Sequence, residues 1–149
     1  MIIRRAESND SDEWLRMRTA LWPDCSEGKH RTEMADFLAN EIGLAVFAAA
    51  DPSGCLCGFV EVSLRQSAEG CGARPVGYIE GWFVDPDSRN QGVGRSLVVA
   101  AETWALEKGC QEMASDCSID NGVSLAVHLL LGYEEVERLI HFRKTLNKS

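Results

Sequence analysis

The stretch from Trp82 to Leu97, WFVDPDSRNQGVGRSL, constrains this chain more than any other. An apolar strand runs into Asp85-Pro86, where the chain must turn, and then into a short Gly-containing loop. Past the loop, Val93, Leu97, Val98, Ala101, Trp104 and Ala105 recur on one helical face, which predicts an amphipathic helix packed on a sheet. Gly92 and Gly94 have no Cβ, so the backbone there is bare and φ > 0 is allowed. Several N–H groups then sit at the positive end of the helix dipole, a setting that suits a phosphate or pyrophosphate. Arg89 and Arg95 flank the loop as cationic donors. A tight turn at a helix start is the alternative reading of Gly-x-Gly alone. No Gly-Lys-Ser/Thr follows, so it is not a Walker loop, and no third Gly completes a dinucleotide fingerprint.

The rest of the chain supplies the sheet and its other cover. Residues 2–6 read as a strand, and Ser8 or Asn9 is expected to cap a first helix burying Trp14, Met17, Leu21 and the stem of Arg18. Residues 25–31 read as loop, followed by a second helix over 32–41 that Gly43 ends. Leu44–Ala50 and Cys55–Arg65, joined by Asp51-Pro52-Ser53-Gly54, predict a hairpin. Residues 66–74 form an exposed loop, and Pro75–Val84 is the strand that enters the glycine turn. A short strand over 112–117 follows the helix, so the crossover makes a parallel, right-handed unit. A last helix runs to Leu131, and Tyr133–Glu137 and Leu139–Thr145 are expected as two closing strands. The fold class is α/β: a mixed, mostly antiparallel twisted sheet with a splayed central parallel pair, flanked by helices. With no linker or repeat, residues 1–149 are expected to be a single domain.

Composition narrows the partners. The net charge of −8 argues against a nucleic-acid surface and fits a cationic partner, though acidity also serves solubility. No apolar run reaches the ~18–20 residues of a membrane span, and the N-terminus lacks a signal peptide's apolar core. A cytoplasmic location and no membrane partner are therefore expected. Six cysteines fall at irregular positions; Cys55-x-Cys57 has no second pair at zinc-ligand spacing, so no metal is expected.

The string Arg89-x-x-Gly92-x-Gly94, between strand and helix, resembles the acyl-CoA pyrophosphate loop of the GCN5-related N-acetyltransferases (GNAT). The element order resembles that fold over essentially the whole chain. Leu21-Trp22-Pro23, Tyr78-Ile79-Glu80-Gly81, Glu112–Asp116 and the run from Leu131 to Arg138 resemble the aminoglycoside 6'-N-acetyltransferase subgroup. The resemblance implies transfer of acetyl from acetyl-CoA to the 6'-amine of an aminoglycoside in a ternary complex, and hence antibiotic resistance. It implies that acetyl-CoA lies against Phe83, Val84, Arg89, Asn90, Gln91, Gly92, Val93, Gly94, Arg95 and Asn121. A β-bulge near the end of the fourth strand would free the N–H groups of Phe83 and Val84, and Val84 would polarise the acetyl carbonyl.

The acceptor side follows from its chemistry. An aminoglycoside carries ammonium groups, so its site calls for carboxylates and an aromatic wall. Trp22 is the candidate wall, or an ordinary core residue. Glu80, flanked by Tyr78 and Trp82 on its own face, is the candidate contact to the amine and proton acceptor through water; the alternative is a structural ion pair with an Arg. Asp116, at the end of the fifth strand, is a further candidate carboxylate, with a helix cap as its other reading; the resemblance to the subgroup implies Glu137 as another, an exposed strand residue being the alternative. His128 stands where many family members carry the Tyr that protonates the leaving thiolate; a packed or solvated His is the alternative. Asn121 reads equally as a helix cap. The loop 66–74 lacks the Tyr of related enzymes. Related enzymes are commonly homodimers, and Leu139, Ile140 and Phe142 offer an interface or a monomer core. A different acceptor (a polyamine, a metabolite amine or a protein N-terminus) and a non-catalytic acyl-CoA-binding module are the competing functions.

Overall fold

Alternating and continuous apolar runs make strands where each can find a hydrogen-bonded neighbour, and five do so here. A computed structural model describes residues 1–147 in two units, 1–116 and 117–147; the last two residues of the expected 1–149 domain lie outside the described residues. In the first unit β1 (Ile2–Arg5), β2 (Leu44–Ala50), β3 (Leu56–Arg65), β4 (Val76–Val84) and β5 (Met113–Ser115) form one sheet in sequence order. The first four pair antiparallel and β4 with β5 parallel, giving the mixed α/β sheet expected. The parallel pair lies at one end of this sheet rather than at its centre, because residues 133–147 form no strand. The β2–β3 turn is tied by the Asp51 carboxylate, which accepts the N–H of Ser53 at 2.9 Å and of Cys55 at 3.1 Å.

The two faces are covered by different helices. On one, Trp14 and Met17 of α1 (Ser11–Leu21) and Met34 of α2 (Glu27–Ala39) are buried against Val46, Ala48 and Phe59. On the other lies α3 (Val93–Glu107), whose buried residues are the stripe expected from the sequence. Bare backbone lets α3 approach: a Cβ on Gly58 would stand 3.1 Å from Leu97, and one on Gly77 would stand 2.8 Å from Ala105.

Two helix starts differ from expectation for local reasons. Neither Ser8 nor Asn9 caps α1; a 3-10 turn over Ser8–Asp10 precedes it, and the Asp10 carboxylate takes the Glu7 N–H and both terminal nitrogens of Arg4, each at 2.8 Å. α2 begins at Glu27 rather than Thr32, because the Ser26 hydroxyl accepts the Lys29 N–H at 3.2 Å and caps it. It ends at Ala39, with the Asn40 side chain taking the Gly43 N–H at 3.1 Å.

β4 carries the irregularity that shapes the site. Glu61 of β3 pairs with Gly81 and Val62 with Ile79, so Glu80 is one residue too many: a β-bulge. It lies in mid-strand, not at Phe83–Val84 where it was expected. The extra residue puts Glu80 and Gly81 on the same face and sends Trp82 to the other, against α3.

The second unit contains α4 (Gly122–Leu130), capped by the Asn121 side chain, which accepts the Ser124 N–H at 3.0 Å. The two strands expected over 133–145 are absent: a strand exists only by pairing, and these described residues have no strand neighbour. Among the described residues no helix is long and apolar enough to cross a membrane.

Candidate active site

The glycine turn is built at the open edge of β4. β5 pairs with β4 only over Gly77–Ile79, so from Glu80 to Val84 that edge has no strand partner among the described residues. The Asp85 N–H donates to Cys57 O at 2.8 Å, and the alternation of an antiparallel ladder then turns Val84 away from β3 and Phe83 toward it. The Val84 carbonyl, so turned, accepts from Arg89 Nε at 2.9 Å, and the Val84 N–H faces the open edge. Phe83 therefore presents its ring rather than its N–H, with Arg89 stacked 5.8 Å from the ring centre.

Beyond Val84 the chain makes a 3-10 turn over Pro86–Ser88, then takes left-handed conformations at Asn90 (φ 63°) and Gly92 (φ 82°) before α3. The first helical bond runs from Ser96 N–H to Gly92 O at 3.0 Å. The N–H groups of Val93, Gly94 and Arg95 have no helical acceptor. A Cβ on Gly92 would meet nothing within 4 Å, so the turn is open above these amides. Gly94 is bare for another reason: a Cβ there would stand 3.2 Å from Trp82, whose Nε1 donates to Gly94 O at 3.2 Å. Arg95 is exposed and makes no ion pair among the described residues, and Gln91 donates to Asp87 O at 3.3 Å. An open cluster of amides beside two arginines fits a diphosphate.

The α1–α2 face of the same strand holds a cavity of about 470 Å³, lined by Trp22, Lys29, Glu33, Glu61, Ser63 and Glu80 among others. Trp22 fits over Gly81, where any Cβ would lie 2.4 Å from its ring. Glu80 makes the ion pair with an arginine that was its alternative reading. It accepts Ser63 Oγ at 2.6 Å and both Nε and Nη2 of Arg65, at 3.0 and 2.8 Å. Arg65 in turn lies 3.5 Å from the centre of the Tyr78 ring, and the Tyr78 hydroxyl donates to Asp116. Burial and the Asp116 carboxylate push that hydroxyl's pKa up. The bulge thus joins Ser63, Glu80, Arg65, Tyr78 and Asp116 in one polar chain beside an aromatic wall. Trp82, expected beside Glu80, is on the opposite face.

The sequence matches the Acetyltransferase (GNAT) family over residues 14–133. This chain is a GNAT acetyltransferase. It is 44% identical over 147 residues to aminoglycoside N(6')-acetyltransferase type 1 of Klebsiella aerogenes, with 97% of each chain covered. Its fold superposes with a TM-score of 0.90 on AAC(6')-Iy in complex with the bisubstrate analogue CoA-S-monomethyl-acetylneamine, at 38% identity over 97% of this chain and 98% of that one. The aminoglycoside 6'-N-acetyltransferase AAC(6')-IG of Acinetobacter haemolyticus gives a TM-score of 0.89 at 34% identity, covering 99% and 100%. The subgroup suggested by the sequence strings is therefore the one to which the acetyltransferase belongs.

The acetyltransferase also buries a charged cluster that sequence reasoning missed. Arg18 and Glu61 are each 1% exposed. Glu61 Oε2 accepts Arg18 Nη1 at 2.5 Å and Trp14 Nε1 at 2.9 Å. Arg18 Nε donates to His30 Nδ1 at 3.1 Å, and Nη2 lies 3.3 Å from Glu33. Burial pushes the Glu61 carboxyl up to about 7 in spite of Arg18. The signal was a carboxylate alternating within an apolar strand and an arginine inside the buried stripe of α1.

Three expected residues of the acetyltransferase belong to its second unit. Asn121 serves there as the helix cap. His128 Nδ1 lies 2.7 Å from Ser124 O, the distance of an N–H donating to a carbonyl, and its ring meets Tyr133 edge-on at 5.6 Å. Glu137 is exposed, in a segment without regular structure.

Proposed function

We propose that this acetyltransferase moves the acetyl group of acetyl-CoA directly to the 6'-amino group of aminoglycosides in a ternary complex, and so confers resistance to them. The observation that carries the reading is the β4 strand itself. Its edge from Glu80 to Val84 is open beside the amide turn, and its bulge aims Glu80 into an acidic cavity on the face of Trp22. The relatives' names, which specify the same amine, support the choice of acceptor.

When bound, acetyl-CoA supplies an acyl group activated as a thioester. The chain's part is to bind, orient and move protons. The free amides of Val93, Gly94 and Arg95, with Arg89, Asn90, Gln91 and Gly92, are assigned to the diphosphate. Phe83 and the outward N–H of Val84 are assigned to the pantetheine end, Val84 as the donor to an acyl oxygen. Trp22, Glu80 and Asp116 are assigned to the acceptor, Glu80 as the proton acceptor through water. Glu137 as a further acceptor carboxylate, Asn121 as a cofactor contact and His128 as a proton donor complete the assignment. We read residues 1–149 as one functional domain working as a homodimer in the cytoplasm, the compartment that supplies acetyl-CoA.

The test is release of CoA thiol with acetyl-CoA and kanamycin or tobramycin, with the acetyl group located on the 6'-nitrogen by NMR. No thiol release at saturating acceptor overturns the proposal.

A further inference from the structure

Trp22 is held from several sides. The Arg18 guanidinium lies 4.8 Å from its ring centre, and His30 stacks at 6.4 Å with 27° between planes. Phe59 meets it edge-on at 6.5 Å, and Gly81 clears the space beneath it. Of these neighbours, Arg18 is the most fully fixed. All three of its guanidinium nitrogens are engaged, by Glu61, His30 and Glu33, and the side chain is 1% exposed. A planar fork tied at three corners has one orientation.

Stability alone does not account for this cluster. Burying two charges is expensive, and a well-packed apolar set of similar volume is often as stable or more so. The cluster also leaves His30 Nε2 buried with no partner among the described residues, a further expense. Because Nδ1 accepts from Arg18, the ring's proton is on that unpartnered Nε2. A core selected only for stability would hold Leu or Met at these positions. The ring that the cluster holds forms a wall of the cavity, and Glu33 and Glu61 line the same cavity.

We propose that Arg18, fixed by Glu61, His30 and Glu33, is a positioning residue that sets the plane of Trp22 and thereby how tightly the cavity holds its acceptor. The inference rests on the acceptor role proposed for that cavity. It places the effect on acceptor binding and leaves the acetyl-CoA turn, on the other face, untouched.

Arg18→Lys keeps the charge and loses the fork. Its acceptor KM is expected to rise about 10-fold, with kcat within about 3-fold and the acetyl-CoA KM unchanged. In a Trp22→Ala background the same substitution is expected to add nothing, because the ring through which it acts is gone. His30→Gln, which keeps an acceptor for Arg18 Nε, should stay near wild type where His30→Leu follows Arg18→Lys; this pair serves if Arg18→Lys does not fold. A parallel rise in acetyl-CoA KM, or equal effects with and without Trp22, overturns the proposal. The Trp22 indole ¹⁵N–¹H resonance gives a readout free of turnover: it should move in Arg18→Lys and His30→Leu, and a stationary resonance overturns the proposal as well. Should the wild type release no thiol with any aminoglycoside, the acceptor reading fails, and that resonance alone decides whether Arg18 positions the ring.

Discussion

Glu80 accepts three hydrogen bonds, one from Ser63 and two from Arg65, so an arriving ammonium must share or displace a guanidinium already in place. Asp116 takes the Tyr78 hydroxyl and is itself exposed, which leaves lone pairs for a cation. Glu80→Gln and Asp116→Asn are each expected to lower kcat/KM for an aminoglycoside at least ~100-fold, since each removes a charge aimed at the amine. Wild-type rates in both would dismiss the site assignment while leaving the fold intact. Glu61 makes a different kind of prediction. Its pKa rises from 4.5 to about 7 on folding, so the native state holds a proton that the unfolded chain has already released. Its contribution to stability is complete below pH 4.5 and is lost as pH rises through about 7. Urea unfolding should show the stability of wild type minus that of Glu61→Gln declining across this window; a flat difference refutes the coupling. The sequence pointed to Glu80 and Asp116 because each stands in a string shared with a subgroup. It did not point to Arg18 and Glu61 because their partnership spans 43 residues and only the packing of α1 on β3 brings them together.

Elements set by local periodicity were legible: the stripe of α3 and the β2–β3 hairpin lie where spacing and turn residues put them. A bulge in β4 was expected from the resemblance, but its place at Glu80 was not legible, since register belongs to two strands at once and neither alone fixes it. Its consequence is testable at Gly81, which the extra residue turns toward Trp22. Gly81→Ala would bring a Cβ within 2.4 Å of that ring, so the ring must leave. Acceptor KM is then expected to rise, and thermal stability to fall by about 1–3 kcal/mol, as overpacking typically gives. A variant with wild-type acceptor KM would remove Trp22 from the site. The glycine turn gives the matching case on the opposite face. At Gly92 φ is 82° and the space above is empty, so Gly92→Val combines a left-handed strain with a side chain over the free amides. Calorimetric affinity for acetyl-CoA should fall at least ~10-fold while the acceptor cavity is untouched. Unchanged affinity would mean that the diphosphate lies elsewhere.

At the scale of the molecule, fifteen basic residues stand against twenty-three acidic ones, a net charge of −8. Such a field draws a polycation, and salt should weaken it. Charge alone does not distinguish partners, however, and the segment after α4 says more. Leu139, Ile140 and Phe142 are 68%, 76% and 91% exposed, and Leu146 is 82% exposed, within fifteen described residues that form no strand. The alternation that predicted two strands there is real; what these described residues lack is a strand neighbour. A second copy supplies one, and apolar side chains left in water provide the driving force for association. The acetyltransferase is therefore expected to sediment as a homodimer, at about twice its 16.4 kDa chain mass. Phe142→Asp, which places a charge among these side chains, should shift it toward monomer and leave the indole resonances of Trp14 and Trp22 in place, because the first unit keeps its own core. A wild-type protein that sediments at 16.4 kDa across micromolar concentrations would return Leu139, Ile140 and Phe142 to the interior of a single chain.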